Sequence, residues 1–256
     1  MKVALVIYPG SLSFLKDVVY MSRDTKKKTC VAIMPAAGTS SRMKQYGNKL
    51  FMEVGNTPVI LLTLRALEDS PFIDEIIIPT REDMIDEIKK LCEDNSIAKV
   101  KKVICGGSTR TESVLNGVLA SKGRFELIAI HDAARPFVSA GIIENTVTAA
   151  ANYGAAAPAV PIKDTVKEAE GGIIKKTVPR ESLFGVQTPQ IFDSDLITAA
   201  LVKAQRDGLS ITDDCSAAEA IGTKVFLTEG DYFNIKITTP EDLIFANAIY
   251  SELNRR

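Results

Sequence analysis

Along this chain, short runs of β-branched and aliphatic residues alternate with longer segments whose apolar positions recur every three or four residues. The runs predict strands at Val31–Met34, Glu75–Pro79, Lys101–Ile104, Leu127–Ile130, Ala156–Val160, Thr223–Leu227 and Asn234–Ile237. Helical segments with readable ends fall between most of them. Thr57-Pro58 predicts an N-cap followed by a proline at the first helical position, with Val59, Leu62 and Ala66 as the apolar stripe. Thr109 and Glu112 have capping-box spacing ahead of Val114 and Leu115. Ser139 opens a helix that Gly154 closes. Thr239-Pro240-Glu241-Asp242 opens the last helix, with two acids at its positive end.

Strands that are apolar throughout must be covered on both faces. The alternation therefore predicts an α/β fold, a Rossmann-like three-layer arrangement around a mainly parallel sheet. The rhythm breaks at residues 160–180, where Thr165-Val166-Lys167 and Ile173-Ile174-Lys175 flank Gly171-Gly172. That pattern predicts a β-hairpin. It carries too few large apolar residues to be core, so it is expected to project as an arm and pack on a second subunit. Residues 1–28 read as an extension of unassigned role ahead of one domain over 29–256. Pro9-Gly10 interrupts the apolar Val3–Ile7 run, and Asp24-Thr25-Lys26-Lys27-Lys28 leads into the first core strand.

Composition excludes several classes. With 46% hydrophobic and 25% charged residues and a net charge of −1, the 256-residue chain has neither the basic track of a nucleic-acid binder nor a membrane-binding basic face. No apolar run is long enough to cross a bilayer. Cys30, Cys92, Cys105 and Cys215 are scattered, and with the single His131 they make no zinc site. Reduced thiols in the cytoplasm are the expectation.

Ligands of open α/β sheets sit outside the carboxyl ends of the strands, and the polar clusters of this chain fall there. After the first strand, Ala36, Ala37 and Gly38 are small enough for backbone N–H groups to approach a ligand, and Arg42 and Lys49 add two cations. This is the composition of an anion cradle, with triphosphate as the obvious anion. The spacing is neither GxGxxG nor GxxxxGK[ST], which argues against a dinucleotide oxidoreductase. Asp132 directly follows four apolar residues and so sits at a strand tip. There it can hold Mg²⁺ or a ribose hydroxyl, cap a helix, or pair with Arg135. Gly106-Gly107-Ser108-Thr109-Arg110 forms a flexible loop into a helix, with Ser113 one turn in. It suits either reading of a base edge or simple capping. Thr212-Asp213-Asp214 precedes a short helix, so the acids are assigned to its positive end and Thr212 to substrate. His131 lacks a dyad partner and is taken as structural. Lys236 interrupts a predicted strand near the ligand edge, whereas Arg180 is a lone cation.

Taken in order, PAAG…SRM…K, GGSTRTESV, HDAARP, VPIKDTVK, QTPQIF, TDD and NIKITTPEDL resemble the 2-C-methyl-D-erythritol 4-phosphate cytidylyltransferase family, from about Val31 to the C-terminus. Ribitol 5-phosphate cytidylyltransferases share much of the pattern. The resemblance implies transfer of CMP from CTP to the methylerythritol phosphate of non-mevalonate isoprenoid biosynthesis, releasing pyrophosphate, with Mg²⁺ or another divalent ion as cofactor. Arg42 and Lys49 match the family's two transition-state cations. Ala36, Ala37, Gly38, Gly107, Ser108 and Ser113 match positions lining the CTP site. Asp132 matches the acid near ribose, metal and acceptor, with Arg135 beside it. Thr165, Arg180, Thr212 and Lys236 match residues that hold the acceptor, Arg180 and Lys236 through its phosphate. The family arm implies a homodimer whose arms reach the partner's site, and neither nucleic acid nor membrane as a partner. The chain departs from the family in having Ser40 near a common glycine, Leu50 in place of glutamine, and Ser108 where aspartate is frequent. The alternatives are a ribitol 5-phosphate enzyme and a catalytically silent CTP-binding protein.

Overall fold

The computed structural model describes residues 27–38 and 48–255. Arg42, Ser40 and most of the 1–28 extension lie outside the described residues. The central strands are β1 (Cys30–Ile33), β4 (Glu75–Thr80), β5 (Val100–Cys105) and β6 (Leu127–Ile130), with a short pair, β2 (Glu53–Val54) and β3 (Thr57–Pro58), between β1 and β4. Helices α1 (Val59–Glu68), α2 (Ile85–Asp94), α3 (Arg110–Ser121) and α4 (Ala140–Tyr153) connect or follow them. The second half holds β7 (Ala155–Pro161), β8 (Val166–Glu170), β9 (Ile173–Val178), β10 (Phe184–Val186), β11 (Gln190–Asp193) and β12 (Phe226–Glu229). Its helices are α5 (Ser194–Arg206), α6 (Asp214–Glu219) and α7 (Pro240–Leu253).

The main sheet runs β7–β11–β6–β1–β4–β5, with β12 parallel to β7. β10 and then β11 run antiparallel along β7, and β11 also pairs antiparallel with β6. The sheet is thus mainly parallel, as the pattern predicts. Two strand predictions change. The run at Thr223–Leu227 pairs only from Phe226 onward, and Asn234–Ile237 is an extended loop without a ladder. In that loop the Ile237 N–H is taken by the Ala134 carbonyl at 2.9 Å.

Alternate residues of each strand feed opposite faces. Ala32, Met34, Ile76, Ile78 and Ala129 pack under α1, α2 and α4. Val31, Ile33, Ile77, Ile128, Ile130 and Phe192 pack under α3, α5 and α6. Both layers are buried, so the sheet is a rigid plate. Ser139 and Gly154 cap α4, and Thr239 caps α7 with the Asp242 carboxylate returning to its N–H at 2.8 Å. The start of α1 differs from the prediction. Pro58 is its N-cap because Thr57-Pro58 is spent pairing with Glu53-Val54. Of the predicted stripe, Val59 is buried and Leu62 and Ala66 pack half-buried against the core, while Ile60, Leu61, Leu64 and Leu67 broaden the buried face.

The hairpin forms as predicted. β8 and β9 pair antiparallel through Gly171 (φ 57°) and Gly172 (φ 81°), away from the main sheet. Both turn residues need positive φ, which glycine adopts without steric cost. The root of the arm is fixed by Tyr232, whose hydroxyl donates to the Pro161 carbonyl at 2.8 Å and whose ring lies 3.3 Å from the Lys163 ammonium.

Gly117 in α3 is demanded by close approach, since a Cβ there would lie 2.5 Å from Ile33 and 2.8 Å from Pro79. Gly117→Ala should destabilise the fold by about 1–3 kcal/mol through overpacking, despite alanine's better helix propensity. Urea unfolding of the variant checks this, and an unchanged or raised midpoint would contradict the packing argument.

Candidate active site at the carboxyl edge of the sheet

A cleft of about 290 Å³ opens beyond the carboxyl ends of β1, β5 and β6. One wall is Pro35 to Gly38, continuing β1. The other is Gly107 to Arg110 and Ser113, where β5 turns into α3. Asp132 and Lys236 lie at its floor, and Lys49 and Leu50 at its side. The structure therefore brings together Ala36, Ala37, Gly38, Lys49, Gly107, Ser108, Ser113, Asp132 and Lys236 from the sequence reading.

The two loops are held internally. The Ala36 N–H donates to the Pro79 carbonyl at 2.8 Å, so that donor belongs to the sheet. Ser113 is buried. Its hydroxyl accepts from the Gly107 N–H at 3.0 Å and donates to the Thr109 carbonyl at 2.8 Å, which pins the glycine loop onto α3. Thr109 caps α3 through the Glu112 N–H, as its spacing suggests, but Glu112 itself turns to the Ser108 N–H and hydroxyl, each at 2.7 Å. Those contacts, the hydroxyl first, lower the Glu112 carboxyl below its usual range. Leu50 buries its side chain in the core while Lys49 extends to the Ile237 carbonyl at 3.0 Å.

Asp132 is the electrostatic centre. Burial alone would raise its carboxyl, but the charges of Arg110 and Lys236, with Arg135 behind them, hold it well below the usual range. Arg110 Nε reaches Oδ1 at 3.3 Å, Lys236 Nζ reaches Oδ2 at 2.7 Å, and Arg135 Nε stands 3.7 Å from Oδ2. Arg135 also donates to the Asn234 carbonyl at 2.6 Å, tying the strand tip to the loop that carries Lys236. The arrangement holds an ionised carboxylate facing the cleft, with cations around it that can meet a polyphosphate.

Below this layer the polar groups are engaged with one another. The Asp132 N–H donates to Thr188 Oγ1 at 3.1 Å, which frees that hydroxyl's proton for His131 Nδ1 at 3.0 Å. Nε2 therefore carries the ring proton and donates it to the Arg135 carbonyl at 3.2 Å. Burial pushes the imidazole down from 6.5 to about 4, opposed by Asp132. His131 is thus a neutral strut holding Asp132 and Arg135 in place.

Several predicted residues fall elsewhere. Thr165 and Arg180 sit on the exposed arm outside the wall of this cleft, with Arg180 donating to the Lys163 carbonyl. Thr212 lies just ahead of α6 with Ser216 against its N–H at 3.1 Å. The paired acids beside it divide their duties. Asp213 caps α6 through the Ser216 N–H at 2.9 Å, whereas Asp214, also assigned to the helix end, is buried and bound to Arg110 at 2.7 Å. Arg110 is the residue the sequence reading left without a role. The only signal for it was an arginine at the loop-to-helix junction, which ordinarily points to solvent.

No group of three or more metal-binding side chains occurs among the described residues. One carboxylate facing an anion site still fits Mg²⁺, which keeps most of its water and binds through one or two carboxylates plus substrate phosphates. No helix of the described residues is long and apolar enough to cross a membrane.

A mainly parallel sheet with small-residue and glycine loops at its carboxyl edge and cations around a strand-tip carboxylate is the layout of a nucleotidyltransferase. The family model for 2-C-methyl-D-erythritol 4-phosphate cytidylyltransferase matches residues 30–252, and the chain belongs to that family. It is 44% identical over 224 residues to the enzyme of that name from Halalkalibacterium halodurans, covering 88% of this chain and 98% of that one. With the enzyme of that name from Clostridium acetobutylicum it shares 44% identity over 220 residues, covering 85% and 96%. Among solved structures, 4-diphosphocytidyl-2C-methyl-D-erythritol synthase from Anaerococcus prevotii superposes with a TM-score of 0.78 at 35% identity, covering 88% of this chain and 97% of that chain. The Thermus thermophilus 2-C-methyl-D-erythritol 4-phosphate cytidylyltransferase superposes with a TM-score of 0.72 at 33% identity, covering 88% and 99%.

The His131 imidazole gives a pH prediction with a definite sign. Its folded pKa lies below its unfolded one, so the unfolded chain binds the extra proton first. The stability from a neutral His131 is complete above about pH 6.5 and is lost as pH falls toward about 4. It amounts to about 3 kcal/mol at ~1.4 kcal/mol per unit. Chemical denaturation at several pH values should show that decline, and His131→Gln should flatten it. An equal slope in the variant would remove His131 as its source.

Proposed function

We propose that this chain transfers CMP from CTP to 2-C-methyl-D-erythritol 4-phosphate, giving 4-diphosphocytidyl-2-C-methyl-D-erythritol and pyrophosphate. The observation that carries this reading is the Asp132 cluster at the floor of the cleft. It puts a fixed carboxylate and the Lys236 ammonium beside two loops built for a nucleotide. A phosphate oxygen of the acceptor attacks the α-phosphorus of CTP. The α–β anhydride bond breaks, and its electron pair leaves with pyrophosphate. A phosphomonoester carries about −1.5 to −2 charge at neutral pH, so its oxygen attacks without a general base. The engagement of His131 by Thr188 and Arg135 supports a base-free mechanism. Catalysis then rests on positioning and on charge neutralisation.

In this reading Lys49, with Arg42 by family resemblance, meets the charge that grows on the α-phosphate and the leaving oxygens. Ala36 to Gly38, Gly107, Ser108 and Ser113 shape the nucleotide site. Lys236 hands its charge from Asp132 to the acceptor phosphate, a role shared by resemblance with Arg180, Thr165 and Thr212. Asp132 would hold Mg²⁺, which when bound neutralises the phosphates and polarises the reacting phosphorus. The arm carries Ile173 and Ile174 at 75% and 60% exposure, which supports its burial against a second copy of the chain. The reading places the enzyme in the cytoplasm as a homodimer.

Pyrophosphate release with CTP and Mg²⁺, compared for methylerythritol 4-phosphate and ribitol 5-phosphate, tests the assignment. Preference for the first is expected. Preference for the second would move the chain to polyol-nucleotide synthesis, and silence with both would leave a CTP-binding protein. Lys49→Ala and Arg42→Ala should each lower kcat by about 10²–10³, the range for a lost oxyanion donor. Lys236→Ala should raise the acceptor KM while calorimetric CTP affinity is retained. For the arm, Ile173→Lys with Ile174→Lys should convert a sedimenting dimer to monomer at micromolar protein. A parent that already sediments as a monomer would remove the dimer.

A further inference from the structure

Arg110 forms the first turn of α3, and its half-buried guanidinium reaches between two carboxylates at the edge of the cleft. Its Nη2 lies 2.7 Å from Asp214 Oδ2, and its Nε lies 3.3 Å from Asp132 Oδ1. Asp132 is 22 residues away in the chain and Asp214 is 104 residues away. Asp214 is fully buried, and its other oxygen, Oδ1, has no partner. A buried carboxylate left unpaired is costly, so Asp214 is bound to Arg110 and cannot release it. The guanidinium is a planar fork, and fixing one prong on Asp214 sets where the other reaches.

The consequences fall on Asp132. Its two oxygens are divided among its neighbours, with Oδ1 facing Arg110 and Oδ2 facing Lys236 at 2.7 Å and Arg135 at 3.7 Å. Without a cation on Oδ1, nothing on that side resists rotation of the carboxylate toward Arg135 and Lys236. Without Asp214, the guanidinium could close fully on Asp132 and compete with Lys236. The shorter contact to Asp214 holds Arg110 back. Arg110 also begins the helix that follows the Gly106–Thr109 loop, and Asp214 begins the helix that follows Thr212. One ion pair therefore ties the nucleotide wall to the segment assigned to the acceptor.

We infer that Arg110, anchored by Asp214, is a positioning residue that sets the orientation of the Asp132 carboxylate and couples the nucleotide loop to the acceptor side of the site. The inference rests on the transfer reaction proposed above for its kinetic readout, and on the Asp132–Lys236 geometry for a second, independent readout.

The test uses Arg110→Lys and the charge-conserving double variant Arg110→Met/Asp214→Val in the full-length protein. The double variant removes one charge of each sign, so the net charge of the protein is unchanged, and the buried pair becomes apolar, which is often neutral for stability. Lysine supplies one point charge and cannot bridge both carboxylates as the fork does. Both variants are expected to melt cooperatively, and kcat is read at saturating CTP because Arg110 stands in the nucleotide wall. Their kcat should fall by about tenfold to a hundredfold, the scale of a misplacement near 1 Å. Crystal structures of both should show the Asp132 carboxylate rotated toward Arg135 and Lys236, with Oδ1 gone from the position it holds against Arg110. Turnover within threefold of the parent in either folded variant would overturn the inference. So would an Asp132 carboxylate that keeps the parent's orientation, which can be read even if the parent releases no pyrophosphate. In that last case the reaction assignment fails separately, and the structural result alone decides the role of Arg110. Should the double variant not fold, Arg110→Lys carries the same two readouts.

Discussion

The carboxylate of Asp132, buried at the tip of a central strand and kept ionised by cations from three different segments, is the contact on which the upper edge of this structure depends. A lone carboxylate at that depth would be protonated or expelled. Arg110 comes from the start of α3, Arg135 from the loop after β6, and Lys236 from the loop before α7. Each segment is drawn in because its cation has a partner there. With Asp214 included, three cations face two carboxylates, and two of those cations, Arg110 and Lys236, line the cleft. The same pairing that closes the fold thus makes the edge receptive to an anion.

Beneath it the fold supplies rigidity. Strands buried on both faces leave little freedom at their tips, so a side chain at position 132 is located by the sheet before any ligand arrives. The antiparallel strand β11 has a particular place in this. The turn leading into it sets Thr188 against Asp132 and His131, and sets Gln187 against Asn234 at 3.1 Å. That layer is knit by internal hydrogen bonds. It holds the cleft residues from below and contributes no base or nucleophile of its own, which suits a reaction driven by positioning and charge.

Much of the architecture was legible in the order of residues because the relevant signals are local. Four-residue apolar runs, Ser139 and Gly154 at the ends of α4, the Thr239 cap and the Gly171-Gly172 turn each act over one or two turns of chain. The failures share a cause as well. Gln190–Asp193 is short and follows Thr188-Pro189, and proline within a run argues against a central strand. Its place between β6 and β7 is given by neighbours distant in sequence. Asn234–Ile237 has the alternation of a strand but finds no strand beside it, because the Ala134 carbonyl and Lys49 occupy its backbone groups. Thr57-Pro58 resembles a helix start, yet pairing with Glu53-Val54 delays the helix by one residue.

The chemistry divides in the same way. The sequence by itself determined that polar clusters follow apolar strands, and hence that Asp132, Lys49, Lys236 and the glycine loops gather at one edge of a parallel sheet. That follows from the two-residue period of strands and the direction in which parallel strands run. It also showed His131 to be the single histidine, whose ring the fold then engages with Thr188 and Arg135. Only the tertiary structure decided which charges meet. Arg110 reads from sequence only as the end of a glycine loop that feeds a helix, and becomes the link between two buried carboxylates. Asp213 and Asp214, adjacent and chemically alike, separate into a helix cap and an ion-pair partner. Ion pairs depend on distance through space, and contacts across 22 and 104 residues are set by how layers pack, which no local pattern encodes.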